Sequence, residues 1–349
     1  MPSQADWIAS LSPWPQEFGL GRMRTLLAAL GDPQLAYPAI HVVGTNGKST
    51  ATRTIEALLL AEGLSVGATV SPHVRTWAER ITVDGEEADF EAAIARVRPE
   101  AEAQEATQFE TVIAAAFAEF AAREVDVAVV EAGLGGRLDA TNVLRSQVVL
   151  LTNIGLEHTD VLGDTREQIA AEKLAVVQEG TVAVLPDKEF ARLAGPNVLV
   201  GHARDAAAAY LGRPIDRDVE IALPGRLERL GDEVRDGAHN PDGARWLATQ
   251  LDRDDYTVVA SILRDKDAGA MLAAFATKGR RFVATESSNG RTLPAAELAR
   301  LAAAHFTEVE LEPDPVAALV RARAHPPVLV TGSLYLLADL ARNEERAVP

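Results

Sequence analysis

The stretch HVVGTNGKST at residues 41–50 combines two glycines, a lysine and adjacent hydroxyl side chains. An apolar run that ends at Val43 predicts a short buried strand, and the apolar spacing over residues 51–60 predicts a helix. Residues 44–49 therefore form the turn between a strand and a helix. Glycines in such a turn allow the backbone to approach an anion, and the N–H groups at the helix start point toward it. This stretch predicts a phosphate-binding loop.

Individual side chains of this loop suit different parts of a nucleotide. Lys48 offers a positive charge for the β- and γ-phosphates, and Ser49 or Thr50 offers a hydroxyl for Mg²⁺. The match to the G-x-x-x-x-G-K-[ST] pattern is incomplete, because Val42 stands at the position of its first glycine. The alternative is an ordinary strand-to-helix turn with a solvent-exposed lysine. The residues that we expect to hold the phosphates are Gly44, Thr45, Asn46, Gly47, Lys48, Ser49 and Thr50.

Further chemistry-bearing side chains follow other predicted strands. A buried-strand pattern over residues 126–131 ends in Glu131, and His158 follows the strand predicted at residues 148–152. Enzymes with parallel α/β sheets place ligands at these carboxyl ends. Lys173 lies in the next predicted helix. Each residue alone fits a surface or turn position, so the prediction of a site depends on their recurrence at successive strand ends.

The elements that position these residues alternate between helices and strands. In the first half, Thr107 and Glu110 have the spacing of a capping box at a helix start. The other elements predicted there are a helical lead-in within residues 1–40, a strand at 65–70, a hairpin at 77–85, a helix at 90–103, a helix from about 165, and strands at 182–185 and 198–200.

A second alternating series follows residues 201–225, which are short and mixed, with Pro214 and residues 224–225 marking a linker. Asn240 and Pro241 suit the N-cap and first turn of a helix in this half. Alternation of strands and helices implies parallel sheets. The strands predicted here lie at residues 232–235, 257–261, 282–285, 307–311 and 328–331.

The predicted fold class is therefore α/β throughout. An N-terminal P-loop domain of the doubly wound ATPase type covers residues 1–217, and a smaller C-terminal Rossmann-like α/β domain covers residues 226–349. Residues 218–225 form the linker. A chain of 349 residues suits two domains.

Composition narrows the classes of function. The formal net charge of −17 opposes general attraction to nucleic acid or to an anionic membrane, so an anionic ligand needs a local positive site. The chain has no cysteine, which excludes disulfides and thiolate metal sites. We see neither a signal sequence nor an apolar run of membrane-spanning length, and we expect a soluble cytoplasmic protein.

The ordered set of motifs resembles the folylpolyglutamate synthase and dihydrofolate synthase family of the Mur ligase superfamily. The resemblance runs nearly from end to end of the chain. The motifs that carry it are GTNGKS from Gly44, SPH from Ser71, ERI from Glu79, TQFE from Thr107, EAGLGGRLDATN from Glu131, NIGLEHT from Asn153, EK from Glu172, PGRLE from Pro224, DGAHNP from Asp236, DKD from Asp265, RTLP from Arg291 and TGSLYL from Thr331.

This resemblance implies an ATP-dependent amide ligase. Such an enzyme joins L-glutamate to dihydropteroate, or to the γ-carboxylate of a folate, through an acyl phosphate. It implies one Mg²⁺ held by Ser49 or Thr50 with Glu131, and a second near Ser71 and His158. Lys173 matches a lysine that these enzymes carbamylate, so that it becomes a metal ligand.

The resemblance also implies the positions of the substrates. Arg80, Thr107 and Phe109 match residues that line the pterin or folate pocket. Arg226, Asp236 and His239 match residues that contact the nucleotide. We expect only small-molecule partners, with no nucleic acid and no membrane, and a monomeric protein.

The chain departs from the family in three places. One of them is Trp77, at a position where phenylalanine is common. Lys48 is followed directly by Ser49, where the family has a glycine. The region at residues 188–219 is shorter than the corresponding region of the family. We therefore expect the loss of much of a helix that contacts adenine. Two alternatives stay open: a Mur-type ligase for a peptidoglycan precursor, and a nucleotide-binding protein without ligase turnover.

Overall fold

The computed structural model describes residues 3–15 and 17–347, with the backbone alone from 345 onward. The chain divides into two compact units, Met1–Ile221 and Ala222–Pro349. Each unit is built around its own sheet.

The first unit contains eight strands in one sheet. They are β1 (Ala39–Val43), β2 (Val66–Thr69), β3 (Ile81–Val83), β4 (Glu86–Glu87), β5 (Val127–Glu131), β6 (Ser146–Leu151), β7 (Val182–Leu185) and β8 (Val198–Val200). The strand order is β4-β3-β2-β5-β1-β6-β7-β8. Strands β2, β5, β1, β6, β7 and β8 are parallel, and β3 and β4 add an antiparallel hairpin at one edge.

Helices cover both faces of this sheet. They are α1 (Gln4–Ser10), α2 (Gly21–Ala29), α3 (Lys48–Ala61), α4 (Phe90–Ala103), α5 (Gln108–Ala122), α6 (Thr159–Leu162), α7 (Arg166–Leu174) and α8 (Ala203–Leu211), with 3-10 turns at Pro33–Leu35, Trp77–Arg80 and Ala191–Leu193. Val129 packs in the core with Ile55 of α3, whereas Val130 packs in the core with Phe117 of α5. Consecutive residues of a strand point to opposite faces, so β5 is buried on both sides, as in a doubly wound sheet.

Helix α8 corrects the expectation of an irregular segment over residues 201–225. Ala206 and Ala207 are fully buried in the core that also contains α3 residues. The N–H of His202 donates to Asp205 Oδ2 at 2.8 Å in a capping box. The alanine content favours a helix, and the cap and the packing against α3 stabilise it. Residues 188–219 therefore retain a helix of nine residues.

The second unit has a six-stranded sheet. Its strands are β9 (Glu228–Leu230), β10 (Glu233–Arg235), β11 (Thr257–Ala260), β12 (Arg281–Ala284), β13 (Glu308–Leu311) and β14 (Val328–Thr331). Its helices are α9 (Pro241–Gln250), α10 (Ala268–Phe275), α11 (Ala295–Ala302), α12 (Pro315–Arg323) and α13 (Leu334–Ala347). The order is β13-β12-β11-β14-β10-β9, and all neighbours are parallel except β9, an antiparallel edge strand that the sequence did not indicate.

The α/β fold class is confirmed in both units. The hairpin predicted at residues 77–85 is corrected, because residues 77–80 form a 3-10 turn and the hairpin consists of β3 and β4 at residues 81–87. Among the residues that the structure describes, none of the helices combines the length and apolar character that crossing a bilayer requires.

Candidate active site

The loop between β1 and α3 is fixed by the segment that follows β6. The N–H of Thr45 donates to the carbonyl of Asn153 at 3.1 Å, and the N–H of Asn46 donates to Asn153 Oδ1 at 2.9 Å. Thr152 Oγ1 donates to the carbonyl of Asn46 at 2.7 Å. A Cβ at Gly44 would lie 1.9 Å from Thr152 Oγ1, so this close approach requires glycine. The sequence analysis did not predict Asn153 as a support for the loop, although Asn153 begins the NIGLEHT motif.

Helix α3 begins directly after this loop. Its N-cap is Gly47, whose φ of 78° lies in the left-handed region that favours glycine. The first N–H groups of a helix have no partner within it, and with the helix dipole they favour an anion. Lys48 Nζ lies 3.3 Å from the carbonyl of Thr45 and donates to it, which places the ammonium group over the loop. The arrangement suits a bound phosphate.

A carboxylate and a hydroxyl meet beside the start of α3. Ser49 Oγ donates to Glu131 Oε1 at 3.1 Å, and the N–H of Ser71 donates to Glu131 Oε2 at 3.0 Å. Glu131 ends β5, between β1 and β2, and its side chain is buried. Three neighbouring strands thus bring Ser49, Ser71 and Glu131 together. Both Ser49 Oγ and the carboxylate are hard oxygen donors of the kind that Mg²⁺ prefers.

Ser49 and Thr50 occupy different environments. Ser49 is buried with its hydroxyl on Glu131, whereas Thr50 is half-buried, and its carbonyl accepts a hydrogen bond from Thr54 Oγ1 at 2.8 Å. The geometry favours Ser49 over Thr50 as the hydroxyl ligand of a metal ion.

His158 lies at the start of α6 in the left-handed region, with a φ of 52°. Its Nε2 is 4.0 Å from Glu157 Oε1. Within the described parts of the chain, no group of three or more His, Cys, Asp or Glu side chains could hold a metal ion. A metal site that includes His158 therefore needs ligands of other types, such as Ser71 or a modified Lys173.

Lys173 of α7 is buried below the phosphate-binding loop. Its Nζ donates to the carbonyl of Gly44 at 2.8 Å. Burial, and next the positive charge of Lys48, lower the pKa of Lys173 from 10.5 to about 7. An amine with this pKa is present in large part as the neutral, nucleophilic form near pH 7.

A buried polar network lies beside the segment that follows Glu131, and the sequence analysis did not predict it. Asp139 accepts a hydrogen bond from the N–H of Leu134 at 2.8 Å and one from the Thr141 hydroxyl. His41 Nε2 lies 2.8 Å from Thr141 Oγ1. Burial lowers the pKa of His41 to about 4 and raises the pKa of Asp139 above its usual value, although the hydrogen bonds to Asp139 oppose that rise. These hydrogen bonds hold the segment after Glu131 against β1.

Arg80 belongs to an aromatic and basic cluster at the end of the segment from Ser71. Arg80 Nε donates to His73 Nδ1 at 2.9 Å, and its guanidinium lies 4.5 Å from the centre of the Trp77 ring. The Trp77 ring stacks on Phe90 at 5.8 Å. The stacking and the hydrogen bond fix the orientation of Arg80.

Two other predicted substrate residues lie at the start of α5. Thr107 and Glu110 form the predicted capping box, and Thr107 Oγ1 also donates to Glu110 Oε2 at 2.8 Å. The Phe109 ring packs so closely on Gly133 that a Cβ there would lie 2.6 Å from the ring. Gly133 is two residues after Glu131, so Phe109 borders the segment that carries the predicted metal ligand.

The three predicted residues of the second unit lie at the same end of the antiparallel pair β9 and β10, since Arg226 precedes β9 and Asp236 and His239 follow β10. Asp236 is buried, and its carboxylate accepts from the N–H groups of Leu227 and Ala238, each at 2.9 Å. Burial raises the pKa of Asp236, against these hydrogen bonds. Arg226 Nη1 donates to the carbonyl of Gly225 at 3.1 Å.

Asp236 thus joins the two segments that carry Arg226 and His239. His239 Nδ1 lies 2.9 Å from the carbonyl of Gly237. Asn240 caps α9 and Pro241 follows it, as the sequence predicted. Arg226, Asp236 and His239 therefore lie on two adjacent loop segments that Asp236 connects.

Each of the two units matches a known domain family. Residues 42–203 match the Mur ligase middle domain, and residues 225–334 match the Mur ligase glutamate ligase domain. Folylpolyglutamate synthase of Lacticaseibacillus casei is 32% identical, over 92% of this chain and 93% of that protein. A probable bifunctional folylpolyglutamate synthase/dihydropteroate synthase of Haloferax volcanii is also 32% identical, over 95% of this chain, which spans about half the length of that relative.

Solved structures give the same result. The Escherichia coli FolC in complex with DHPP and ADP is similar at a TM-score of 0.86 and 26% identity, over 99% of this chain and 98% of that one. The bifunctional folylpolyglutamate synthase/dihydrofolate synthase of Yersinia pestis, with Mn, AMPPNP and L-glutamate bound, is similar at a TM-score of 0.84 and 28% identity, with the same coverage. This chain belongs to the folylpolyglutamate synthase and dihydrofolate synthase family of Mur ligases.

Proposed function

We propose that this protein is an ATP-dependent ligase that joins L-glutamate to dihydropteroate, to the γ-carboxylate of a folate, or to both. The observation that carries the proposal is the meeting of Ser49, Glu131 and Ser71 beside the helix start at Lys48. This arrangement supports a metal site with oxygen ligands beside the predicted phosphate-binding loop. The names and bound ligands of the similar proteins support the substrates.

The proposed reaction has two steps. A carboxylate oxygen of the acceptor attacks the γ-phosphorus of ATP, the bond to ADP breaks, and an acyl phosphate forms. The amine of glutamate then attacks the acyl carbon, an amide forms, and phosphate leaves while the amine loses a proton. Lys48 and the N–H groups at the start of α3 hold and neutralise the phosphates during the first step, where positioning and charge stabilisation dominate.

A divalent metal ion fits the oxygen donors at Glu131. Ser49 Oγ and the Glu131 carboxylate would hold it, and when bound it supplies positive charge to the phosphate oxygens. A manganese-bound relative supports binding of a divalent metal in this family. We extend the proposal to a second Mg²⁺ near Ser71 and His158.

Lys173 is proposed to carry a carbamate. Its neutral amine would attack CO₂ and lose one proton, so that the amine becomes an N-carboxylate anion with oxygen ligands for a metal. The burial of Lys173, its position against Gly44 and the lowered pKa of its amine support this reaction.

For the remaining site residues we propose the roles that the family resemblance implies. Arg80, Thr107 and Phe109 would contact the pterin or folate. Because the Thr107 hydroxyl is used in the capping box, Thr107 would act mainly by placing Phe109. Arg226, Asp236 and His239 would contact the nucleotide. The monomeric state and the cytoplasmic location stay predictions.

The test is ADP release with purified protein, ATP, Mg²⁺ and L-glutamate, using dihydropteroate in one series and tetrahydrofolate in another. We expect release that requires both glutamate and an acceptor, and mass spectrometry should find the acceptor enlarged by one glutamate. Lys188→Ala, an exposed surface change, is the matched control for Lys48→Ala. Nucleotide binding without release in either series would contradict the proposal and favour a binding protein without turnover. Release with a peptidoglycan precursor alone would favour the Mur-type alternative.

A further inference from the structure

Arg53, a residue outside the predicted site, connects the helix that begins at Lys48 to the segment that carries Arg80. Arg53 lies on α3, and its side chain is 11% exposed. Arg53 Nη1 lies 2.7 Å from Glu56 Oε2, and Nη2 donates to the carbonyl of Glu79 at 2.6 Å. The residue after Glu79 is Arg80, so this contact reaches the backbone next to a predicted substrate residue.

Residues 71–80, here called the acceptor loop, are arranged around the side chain of Glu79. Glu79 Oε2 accepts from the N–H of Val74 at 3.0 Å, and Oε1 accepts from the N–H of Thr76 at 2.7 Å. At its other end, the N–H of Ser71 donates to Glu131. The acceptor loop is therefore attached to Glu131 at its start and to Arg53 at its end.

The guanidinium of Arg53 has three hydrogen-bond partners, which are Glu56, Thr82 and the carbonyl of Glu79. Thr82 Oγ1 donates to Glu56 Oε1 at 2.6 Å and accepts from Arg53 Nη1. Glu56 is 3% exposed, so its charge depends on Arg53 as a partner. A planar guanidinium can donate in several fixed directions at once, whereas a lysine ammonium is a single point charge on a flexible stem. Lysine at this position would keep the charge next to Glu56 and lose the contact with Glu79.

We propose that Arg53 is a positioning residue for the ligase reaction. It sets the acceptor loop, and with it Arg80, relative to α3 and the phosphate-binding loop. Binding of the acceptor depends on this contact, whereas the loop that holds the phosphates is fixed independently by Thr152 and Asn153. The identity of the acceptor rests on the proposed function.

The kinetic test compares Arg53→Lys with the wild type. We expect KM for the acceptor, dihydropteroate or tetrahydrofolate, to rise about tenfold, while KM for ATP stays within about twofold. Arg96→Lys is the matched control, since Arg96 forms an ion pair with Glu119 between α4 and α5. We expect it to change neither constant. An unchanged KM for the acceptor in Arg53→Lys, or an equal rise in both constants, would overturn the proposal.

Hydrogen exchange tests the same inference without any turnover. Peptides within residues 71–83 should exchange about tenfold faster in Arg53→Lys, because the loop opens more often, while peptides from β5 keep the wild-type rate. If the wild type releases no ADP with either acceptor, the proposed function fails, and exchange still decides the role of Arg53. Equal exchange in the two proteins would then refute it.

A double variant covers the case in which Arg53→Lys does not fold. Arg53→Gln with Glu56→Gln removes both buried charges together, so that neither is left without a partner. The same selective rise in KM for the acceptor and the same local exchange are expected. A folded double variant with wild-type values in both measurements would overturn the proposal.

Discussion

Ser49 Oγ and Glu131 Oε1 lie 3.1 Å apart, although 82 positions separate the two residues in the chain. The contact joins the first turn of α3 to the end of β5. It places a hydroxyl and a carboxylate where a metal ion could bind both, beside the helix start at Lys48.

Loss of either charged group at this point should remove most of the activity. We expect Lys48→Ala and Glu131→Gln each to lower kcat for ADP release by about 10²- to 10³-fold, as the loss of a main charge-stabilising group does. Steady-state ADP release measures the effect, with Lys188→Ala as the control. Near-normal turnover in either variant would rule out this phosphate and metal site.

The two hydroxyls after Lys48 should differ in their effect on metal dependence. Ser49→Ala removes the hydroxyl that contacts Glu131, so we expect the Mg²⁺ concentration for half-maximal activity to rise about tenfold, equivalent to about 1.4 kcal/mol. Thr50→Ala should change it by less than about twofold. A Mg²⁺ titration of ADP release makes the comparison. The reverse order would assign the metal ligand to Thr50.

A small carboxylate should substitute for the carbamate group of Lys173. We expect Lys173→Ala to lose about 10²-fold or more in kcat, and added acetate to restore part of that loss by occupying the position of the N-carboxylate. Lys173→Arg should gain nothing from acetate, because its side chain fills the space and stays cationic. Activity is measured with and without acetate. An active Lys173→Ala enzyme with ordinary Mg²⁺ dependence would show that the lysine is dispensable.

His41 should make the stability of the first unit depend on pH. Burial lowers its pKa in the folded protein to about 4, against 6.5 for the ordinary side chain. The unfolded chain therefore binds more protons between these values, and stability falls as the pH drops from about 6.5 toward 4. From pH 7.5 to 5 the contribution of His41 to the free energy of unfolding should fall by about 2 kcal/mol.

Chemical denaturation of wild type and His41→Gln at both pH values tests this expectation. Glutamine keeps a hydrogen-bonding group near Thr141 but does not titrate, so the variant should lose about 2 kcal/mol less than the wild type between pH 7.5 and 5. His305→Gln, at an exposed position in the second unit, is the control. Parallel losses in wild type and His41→Gln would contradict the prediction.

Local patterns in the sequence were sufficient for much of the architecture. The capping box of Thr107 with Glu110 and the cap at Asn240 depend on neighbours within three residues, and both are present as predicted. Apolar periodicity located strands such as β5, because a strand buried on both faces has a continuous run of apolar side chains. Edge strand β9 was missed, because its residues include Glu228 and Arg229 and give no apolar run.

Helix α8 shows where a local interpretation fails. Pro214 and residues 224–225 indicate a linker, yet Ala206 and Ala207 are buried with the core around α3. The packing partner lies more than a hundred residues earlier, so the sequence window contains the helix propensity but not the surface that stabilises it.

Strand and helix periods are local, so the sequence was enough to predict that a glycine-rich turn with Lys48 follows a buried strand and that Glu131 ends another. The folded chain was needed to show that Ser49 rather than Thr50 contacts Glu131, that Asp139 and Thr141 join His41, and that Arg53 reaches the carbonyl of Glu79. These contacts depend on strand order and on the rotation of α3 against the sheet. Both are set by packing between segments that are distant in the chain, and no spacing within one segment specifies them.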